Sequence, residues 1–243
     1  MNNELVIRGI VIKNTPYGEN DGIINCLTEE GIITFKARGI LKPTSKNASS
    51  CLLYAYSEFT LESKNNHRYL SKAKLIDTHY RLYDSLDYMC CIGIVSESIL
   101  TFLDENTSKI IFNSFKKMLE GLNSNFNIFT LTAICLAKVI NESGYGLEVN
   151  RCIICEEKTK IVSFSFNEGG YICKRCLSKN HNIEKPEYLK SLRYVFNVDI
   201  DNYYHYILND EISKRLIHEF ILYLQIQFGY HKLGFYDLFK QTY

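Results

Sequence analysis

The chain has 243 residues, enough for one large domain or two to three small ones. Hydrophobic residues make up 46% and charged residues 23%, both ordinary for a globular protein. The formal charge is only +1, so overall charge identifies no partner, and any electrostatic argument has to be local.

The start, Met1-Asn-Asn-Glu-Leu5, has no basic segment followed by a long apolar core, as a secretory signal would. The longest uncharged run, Gly121 to Ala137, is interrupted by Asn, Ser and Thr and falls short of the roughly 20 apolar residues of a membrane span. A soluble, cytoplasmic protein is expected. In such a reducing compartment its nine cysteines are thiols or metal ligands rather than a disulfide frame.

Up to about residue 78 the pattern is short, rich in Val, Ile, Tyr and Phe, and punctuated by turns. It predicts five strands, at about 5–13, 22–28, 31–38, 51–62 and 68–76. Pro16-Tyr-Gly18 separates the first two, and Glu29-Glu-Gly31 is a tight connection between the second and third. Residues 39–50 form a polar loop, and Ser63 to His67 make the last turn. Five short strands in so few residues fit a small barrel. The five-stranded OB-fold, which binds oligonucleotides, is a common one.

After 78 the period becomes helical. Leu82, Leu86, Met89, Ile92, Val95, Ile99 and Phe102 step by three or four residues. A second helix is expected over 107–122, opened by Thr107 or Ser108, and a third over 126–143, ended by Gly144. A short helix is expected after Pro186 and a last one over 209–228, ended by Gly229. The fold class is therefore α+β and multi-domain: a barrel over 1–78, then a mostly helical domain over 79–243 with a cysteine module inserted at 150–180.

That module carries the sharpest signal. Cys152-Ile-Ile-Cys155 and Cys173-Lys-Arg-Cys176 are separated by 17 residues, the spacing of a four-thiolate zinc site. Two such turns complete a tetrahedron about Zn2+ and leave no open position, which argues for a structural ion and against metal catalysis. His181 is an alternative fourth ligand. Cys26, Cys51, Cys90, Cys91 and Cys135 lie in apolar segments and read as small buried hydrophobes. Between 151 and 180 six basic residues oppose three Glu, a local charge of +3. Lys174 and Arg175, inside the second knuckle, either touch phosphate or favour the thiolates electrostatically.

Phosphate-binding loops, the dinucleotide fingerprint, H-E-x-x-H and G-x-S-x-G are all missing from the sequence. The zinc deaminase signature is missing too, since no proline precedes Cys152 or Cys173 and there is no H-x-E. Binding chemistry is more visible. From Lys36 to Lys74 the basic residues are Lys36, Arg38, Lys42, Lys46, Lys64, Arg68, Lys72 and Lys74, against Glu58 and Glu62 alone, a charge of +6 inside a chain of +1. Strand alternation puts Thr34, Lys36 and Arg38 on one face and Lys72 with Lys74 on another, so on a barrel they can track a phosphate backbone. Tyr54 and Tyr56, on one face of the fourth predicted strand, are candidates to stack on bases.

Several strings then resemble one family. Gly9-Ile-Val-Ile12, Tyr17-Gly-Glu19-Asn-Asp21, Leu27-Thr28-Glu29-Glu-Gly31 and Ala37-Arg38-Gly39 look like the opening of the RecO family of bacterial DNA repair proteins. Gly144-Tyr-Gly146, Phe166-Asn-Glu-Gly169-Gly170 and the closing C-x2-C fit its zinc-bearing members. The resemblance covers about 4–240. It implies an OB-fold, a helical domain and a zinc module, and a recombination mediator of the RecF pathway with no catalytic centre. Such proteins bind single- and double-stranded DNA, anneal complementary strands and work with RecR. They help RecA displace single-strand-binding protein, whose acidic C-terminal tail docks on them. Carried onto this chain, the DNA surface is Lys36, Arg38, Lys42 and Lys46, to which the charge strip adds Arg68, Lys72 and Lys74. Some members lack the four cysteines, which implies a structural zinc. The segment from Phe235 to Tyr243 departs from the family in being more aromatic and less basic. Two other readings share these features: a zinc-ribbon and OB module of RNA metabolism or transcription, and an enzyme whose site leaves no linear trace.

Overall fold

The computed structural model describes residues 4–243. The chain forms two compact units, one holding the residues up to Tyr88 together with Asp104–Asn123, the other Met89–Leu103 with Ser124–Tyr243.

The first unit is built on strands β1 (Glu4–Tyr17), β2 (Asp21–Thr28), β3 (Gly31–Ala37), β4 (Tyr56–Lys64) and β5 (His67–Asp77). They close into a barrel in the OB-like order β1-β2-β3-β5-β4. β1 is long enough to pair with β4 from Glu4 to Ile10 and with β2 from Gly9 to Tyr17. Closure comes from a parallel contact of β3 with β5, Lys36 opposite Tyr69. Alternation sends Ile7, Val11, Ile24, Cys26, Phe35, Phe59 and Leu61 into the core. There the Phe35 and Phe59 rings meet at 5.1 Å.

The fourth strand starts later than its composition predicts, at Tyr56 rather than 51. Ser49–Cys51 is a turn of 3-10 helix, and Tyr54 takes a left-handed φ of 66°. The irregular segment is tied down nonetheless. Tyr54 N–H donates to Val11 O at 2.7 Å, and Val11 N–H donates to Ala55 O at 3.0 Å. Helix α2 (Lys109–Asn123) belongs to this unit, with Phe115 against Tyr54 and Phe112 against Tyr56. Its leading loop docks on the β2–β3 connection, where Ile32 N–H donates to Glu105 O at 2.9 Å. Only glycine fits at Gly31. Its φ is +115°, and an added Cβ would stand 2.1 Å from Glu105 O.

The second unit contains most of α1 (Leu86–Phe102), with α3 (Ile128–Glu142), α4 (Pro186–Asn197), α5 (Asp210–Phe228) and α6 (Gly234–Thr242). α1 begins four residues after the apolar period does, because Tyr80–Asp84 is a 3-10 turn and Ser85 is extended. α3 is buried along nearly its whole length and is capped by Asn127, whose side chain accepts from Thr130 N–H at 2.8 Å. Lys138, its one cation, donates to Phe196 O and Val198 O at 3.1 and 2.7 Å, satisfying carbonyls at the end of α4. α6 has no sequence signal. Its N-terminal amides, on Gly234 and Phe235, donate to the Glu97 carboxylate of α1, and the Phe235 ring lies where a Cβ on Gly93 would be. A three-stranded sheet of β6 (Glu148–Cys152), β7 (Ile161–Ser165) and β8 (Gly170–Cys173) completes the unit in the order β6-β8-β7. Among the described residues no helix is long and apolar enough to cross a membrane.

The two glycine environments separate strain from collision. At Gly18 φ is +65° and nothing lies within 4 Å, so Gly18→Ala should cost about 1 kcal/mol. Gly31→Ala meets both a forbidden φ and the Glu105 carbonyl, and should cost about 3 kcal/mol or more. Urea midpoints of the two variants, followed by circular dichroism, test the difference. Equal losses would show that the docking at Glu105 contributes nothing.

Candidate nucleic-acid interface and metal centre

On the barrel, the predicted cations fall into two groups. Lys36 is held: its Nζ lies 3.0 Å from Asp21 Oδ2 and 4.1 Å from the centroid of the Tyr17 ring. The others are uncommitted. Among the described residues, Arg38, Lys42, Lys46, Arg68, Lys72 and Lys74 take part in no ion pair within 4 Å, and all six are exposed. Arg38 lies over the Tyr69 ring at 4.7 Å. Lys42 and Lys46 stand on a loop that is pinned at both ends. Gly39 N–H donates to Asp21 Oδ1 at 2.8 Å, Leu41 N–H to Asn20 O at 2.9 Å, and Ala73 N–H of β5 to Asn47 Oδ1 at 3.2 Å.

A register shift in β5 reorganises the faces. Leu70 pairs with Leu61 but Lys72 pairs with Thr60, so one residue, Ser71, is extra. The bulge reverses the alternation and puts Tyr69 on the same outer face as Lys72 and Lys74. Lys74 is opposite Glu58, whose carboxylate is already bonded to Arg8 Nε at 2.8 Å.

Of the two tyrosines expected to stack, burial excludes Tyr54, and Tyr56 is half-buried. Tyr54 is 3% exposed, lies outside β4 and packs on Phe115. Tyr56 packs on Phe112 and carries Lys116 over its ring at 5.2 Å. The aromatic rings that accompany the cations are instead Tyr17 and Tyr69. Tyr17 reaches Lys36 across the β1–β2–β3 hairpins, whereas the non-local β3–β5 pairing brings Tyr69 to Lys36 and Arg38.

The cysteine cluster forms where two strands end together. β6 and β8 run parallel, with Cys152 opposite Tyr171, so the turns after Cys152 and after Cys173 emerge side by side. The four sulfurs of Cys152, Cys155, Cys173 and Cys176 all lie within 4.8 Å of one another. A tetrahedron with Zn–S bonds near 2.3 Å would place them about 3.8 Å apart, and Cys155 Sγ and Cys173 Sγ stand at 3.6 Å. Cys173 N–H also points at Cys152 Sγ, 3.4 Å away. At Cys152 burial opposes ionisation, but amides of Cys173, Cys155 and Ile154 outweigh it and lower the thiol pKa. The Glu157 amide, then Arg175, pulls Cys155 down to about 6, while sharing a proton with Cys155 pushes Cys176 up to about 12. Four soft sulfur donors converging on one point form a set that can bind a metal ion and is compatible with zinc. His181 is not among them: its Nε2 pairs with Glu168 Oε1 at 2.9 Å and its Nδ1 faces Ser178. Arg175 is one of the groups that favour the Cys155 thiolate. The remaining five cysteines are buried, and burial pushes Cys51 and Cys135 up to about 12.

A further cavity of about 270 Å³ is lined by His181, Glu184, Tyr188, Arg215 and Glu219. Its charges are spent on one another. Arg215 grips Glu184 through both terminal nitrogens and Glu219 through Nε, and Tyr188 donates to Glu219.

Comparison with known proteins gives a consistent picture. Residues 1–79 match the family described as "Recombination protein O N terminal", and residues 84–226 match "Recombination protein O C terminal". The chain is similar to the DNA repair protein RecO of Halalkalibacterium halodurans, with 25% identity over 87% of this chain and 86% of that one. It is also similar to that of Mesoplasma florum, 28% over 80% and 75%, and to that of Bacillus subtilis, 26% over 86% and 83%.

Asp21 gives the barrel site a pH signature. The Gly39 amide, then Lys36, holds its carboxyl below the ordinary value. A depressed folded-state pKa adds stability that is complete above about pH 4 and is lost as the pH falls through the folded value. Asp21→Asn keeps an acceptor for Gly39 but cannot titrate. Its urea midpoint should fall less steeply below about pH 4 than that of the parent protein, and parallel curves would exclude the contribution.

Proposed function

The chain belongs to the RecO family of bacterial DNA repair and recombination proteins, and from that premise we propose that it is a recombination mediator without a catalytic centre of its own. In this reading it binds single- and double-stranded DNA, anneals complementary strands, and helps load RecA onto DNA covered by single-strand-binding protein. Its partners are RecR and the acidic C-terminal tail of single-strand-binding protein, with RecA engaged indirectly. It works in the cytoplasm, at the nucleoid.

The observation that carries the proposal is the uncommitted charge on the barrel. Arg38, Lys42 and Lys46 lie on the pinned loop that follows β3, and Arg68, Lys72 and Lys74 lie on β5, the strand paired with β3. Cations without protein partners give up little on meeting phosphate, and each contact releases condensed counterions. Lys36 contributes less charge than the sequence suggests, because Asp21 already neutralises it. Capture of this kind is salt-sensitive and largely independent of sequence. A strand held by its backbone leaves its bases open to a complement, which is the physical requirement for annealing.

Zinc at Cys152, Cys155, Cys173 and Cys176 serves as a brace. The module is fastened to the helices by Phe166, which meets Tyr223 at 5.5 Å and Phe220 at 6.3 Å, and by Tyr171, whose hydroxyl donates to Leu189 O. An ion at the cluster joins the ends of β6 and β8, and a closed thiolate shell offers no site for substrate.

Neutralising Lys36, Arg38, Lys42 and Lys46 together should weaken binding to a single-stranded oligonucleotide and flatten its dependence on log salt by roughly 2 to 3 units. An unchanged slope in fluorescence anisotropy titrations would remove the barrel from the interface, and a preference for structured RNA over single-stranded DNA would favour the RNA-module reading. For the metal, the purified protein should carry one zinc per chain. A chelator under reducing conditions should lower the unfolding midpoint of the second unit and spare that of the barrel. A Cys152→Ala protein with full zinc content would refute the ligand set.

A further inference from the structure

Charge alone does not tell a single strand from a duplex, since both present phosphates. Base faces do, because only unpaired bases are free to leave their stack and lie on an aromatic ring. The barrel's aromatic side chains differ by this criterion. Phe35 and Phe59 fill the core, Tyr54 is buried against Phe115, and half-buried Tyr56 packs on Phe112 of α2, with Lys116 over its ring. Tyr17 is 52% exposed at the end of β1, and Tyr69 is half-buried on the outer face of β5.

These two rings share a cation-bearing neighbourhood. Lys36 is the register partner of Tyr69 and lies over Tyr17, while Arg38, just past the end of β3, lies over Tyr69. A cation against one face of a ring fixes the ring's orientation without covering the opposite face. Asp21 in turn fixes Lys36, at 3.0 Å. The arrangement is an ordered stack of Asp21, Lys36 and Tyr17 beside a second of Arg38 and Tyr69, next to the exposed Lys42 and Lys46.

We propose that Tyr17 and Tyr69 are the base-stacking platform of the barrel and give it a preference for single-stranded over double-stranded nucleic acid. Lys36 acts as a positioning residue for Tyr17, and Arg38, Lys42 and Lys46 take the phosphates. The inference rests on the reading of the barrel as a nucleic-acid surface and adds to it which side chains discriminate the two forms.

The chain contains no tryptophan, so a single Tyr17→Trp or Tyr69→Trp change in the full-length protein introduces its only indole. The probes are oligothymidylate, a blunt duplex of equal length, and inorganic polyphosphate, which has the charge without the bases. Oligothymidylate should quench the indole, and polyphosphate should leave it unchanged. Replacing Tyr17 and Tyr69 by Leu should lower single-strand affinity by roughly 5- to 150-fold per ring, with duplex affinity within about twofold. Phe at both positions, which restores the rings, should recover the preference, and matching circular dichroism melts check that the Leu protein is folded. The inference is overturned if oligothymidylate binds while both indoles stay unquenched, or if the Leu protein loses single-strand and duplex affinity equally. Failure of the parent protein to bind any of the three probes at low salt would instead overturn the nucleic-acid reading of the barrel, and this inference with it.

Discussion

The parallel contact between β3 and β5 is the constraint on which the barrel and its surface both depend. It is short, a single register pair of Lys36 and Tyr69, and it closes a sheet whose other four seams are antiparallel. Closure removes the exposed edges that β3 and β5 would otherwise present. It also requires the chain to leave β3, travel through residues 38–55 and come back through β4 before β5 can arrive. The pinned turns of that crossing, held by Asp21 and Asn47, are the positions that carry Lys42 and Lys46. Fold closure and the display of charge are thus produced by the same contact.

Asp21 illustrates how one carboxylate shapes that surface. It accepts from the Gly39 amide with one oxygen and faces Lys36 with the other. The first interaction holds the start of the loop, and the second withdraws one cation from the pool available to phosphate. A residue count gives the strip +6, but its unpaired positive charge sits on seven side chains, Lys64 and the six named above, less the acidic neighbour Glu58 beside Lys74. The proposed interface rests on local charge, not on formal charge.

The same principle of parallel neighbours operates in the second unit. β6 and β8 end at the same level, so two C-x2-C turns distant in sequence come within sulfur-to-sulfur reach. The aromatic contacts of Phe166 and the Tyr171 hydroxyl then transfer any order imposed at the cluster to α4 and α5. Arg175 lowers the cost of thiolate charge at Cys155.

Much of this protein is legible locally. The five barrel strands, five of the six helices and the four-cysteine cluster follow from period, turn residues and ligand spacing, because each depends on residues close together in the chain. The late start of β4 was not legible, since Ser49 to Ala55 has strand composition but is bent by its bonds to Val11 and its packing on α2. α6 was invisible because its amides are capped by Glu97, 137 residues away. Tyr54 was misread for a related reason: it lies outside β4 and is buried against Phe115 of α2. Tyr17 meets Lys36 across the β1–β2–β3 hairpins, while Tyr69 meets Lys36 and Arg38 through barrel closure and the bulge at Ser71. The sequence by itself determined which elements form and which side chains can bind metal or carry charge, for these are properties of short segments. Which aromatic rings stand beside which cations, and which charges remain unpaired, was decided by tertiary structure alone, because both depend on contacts between residues far apart in the chain.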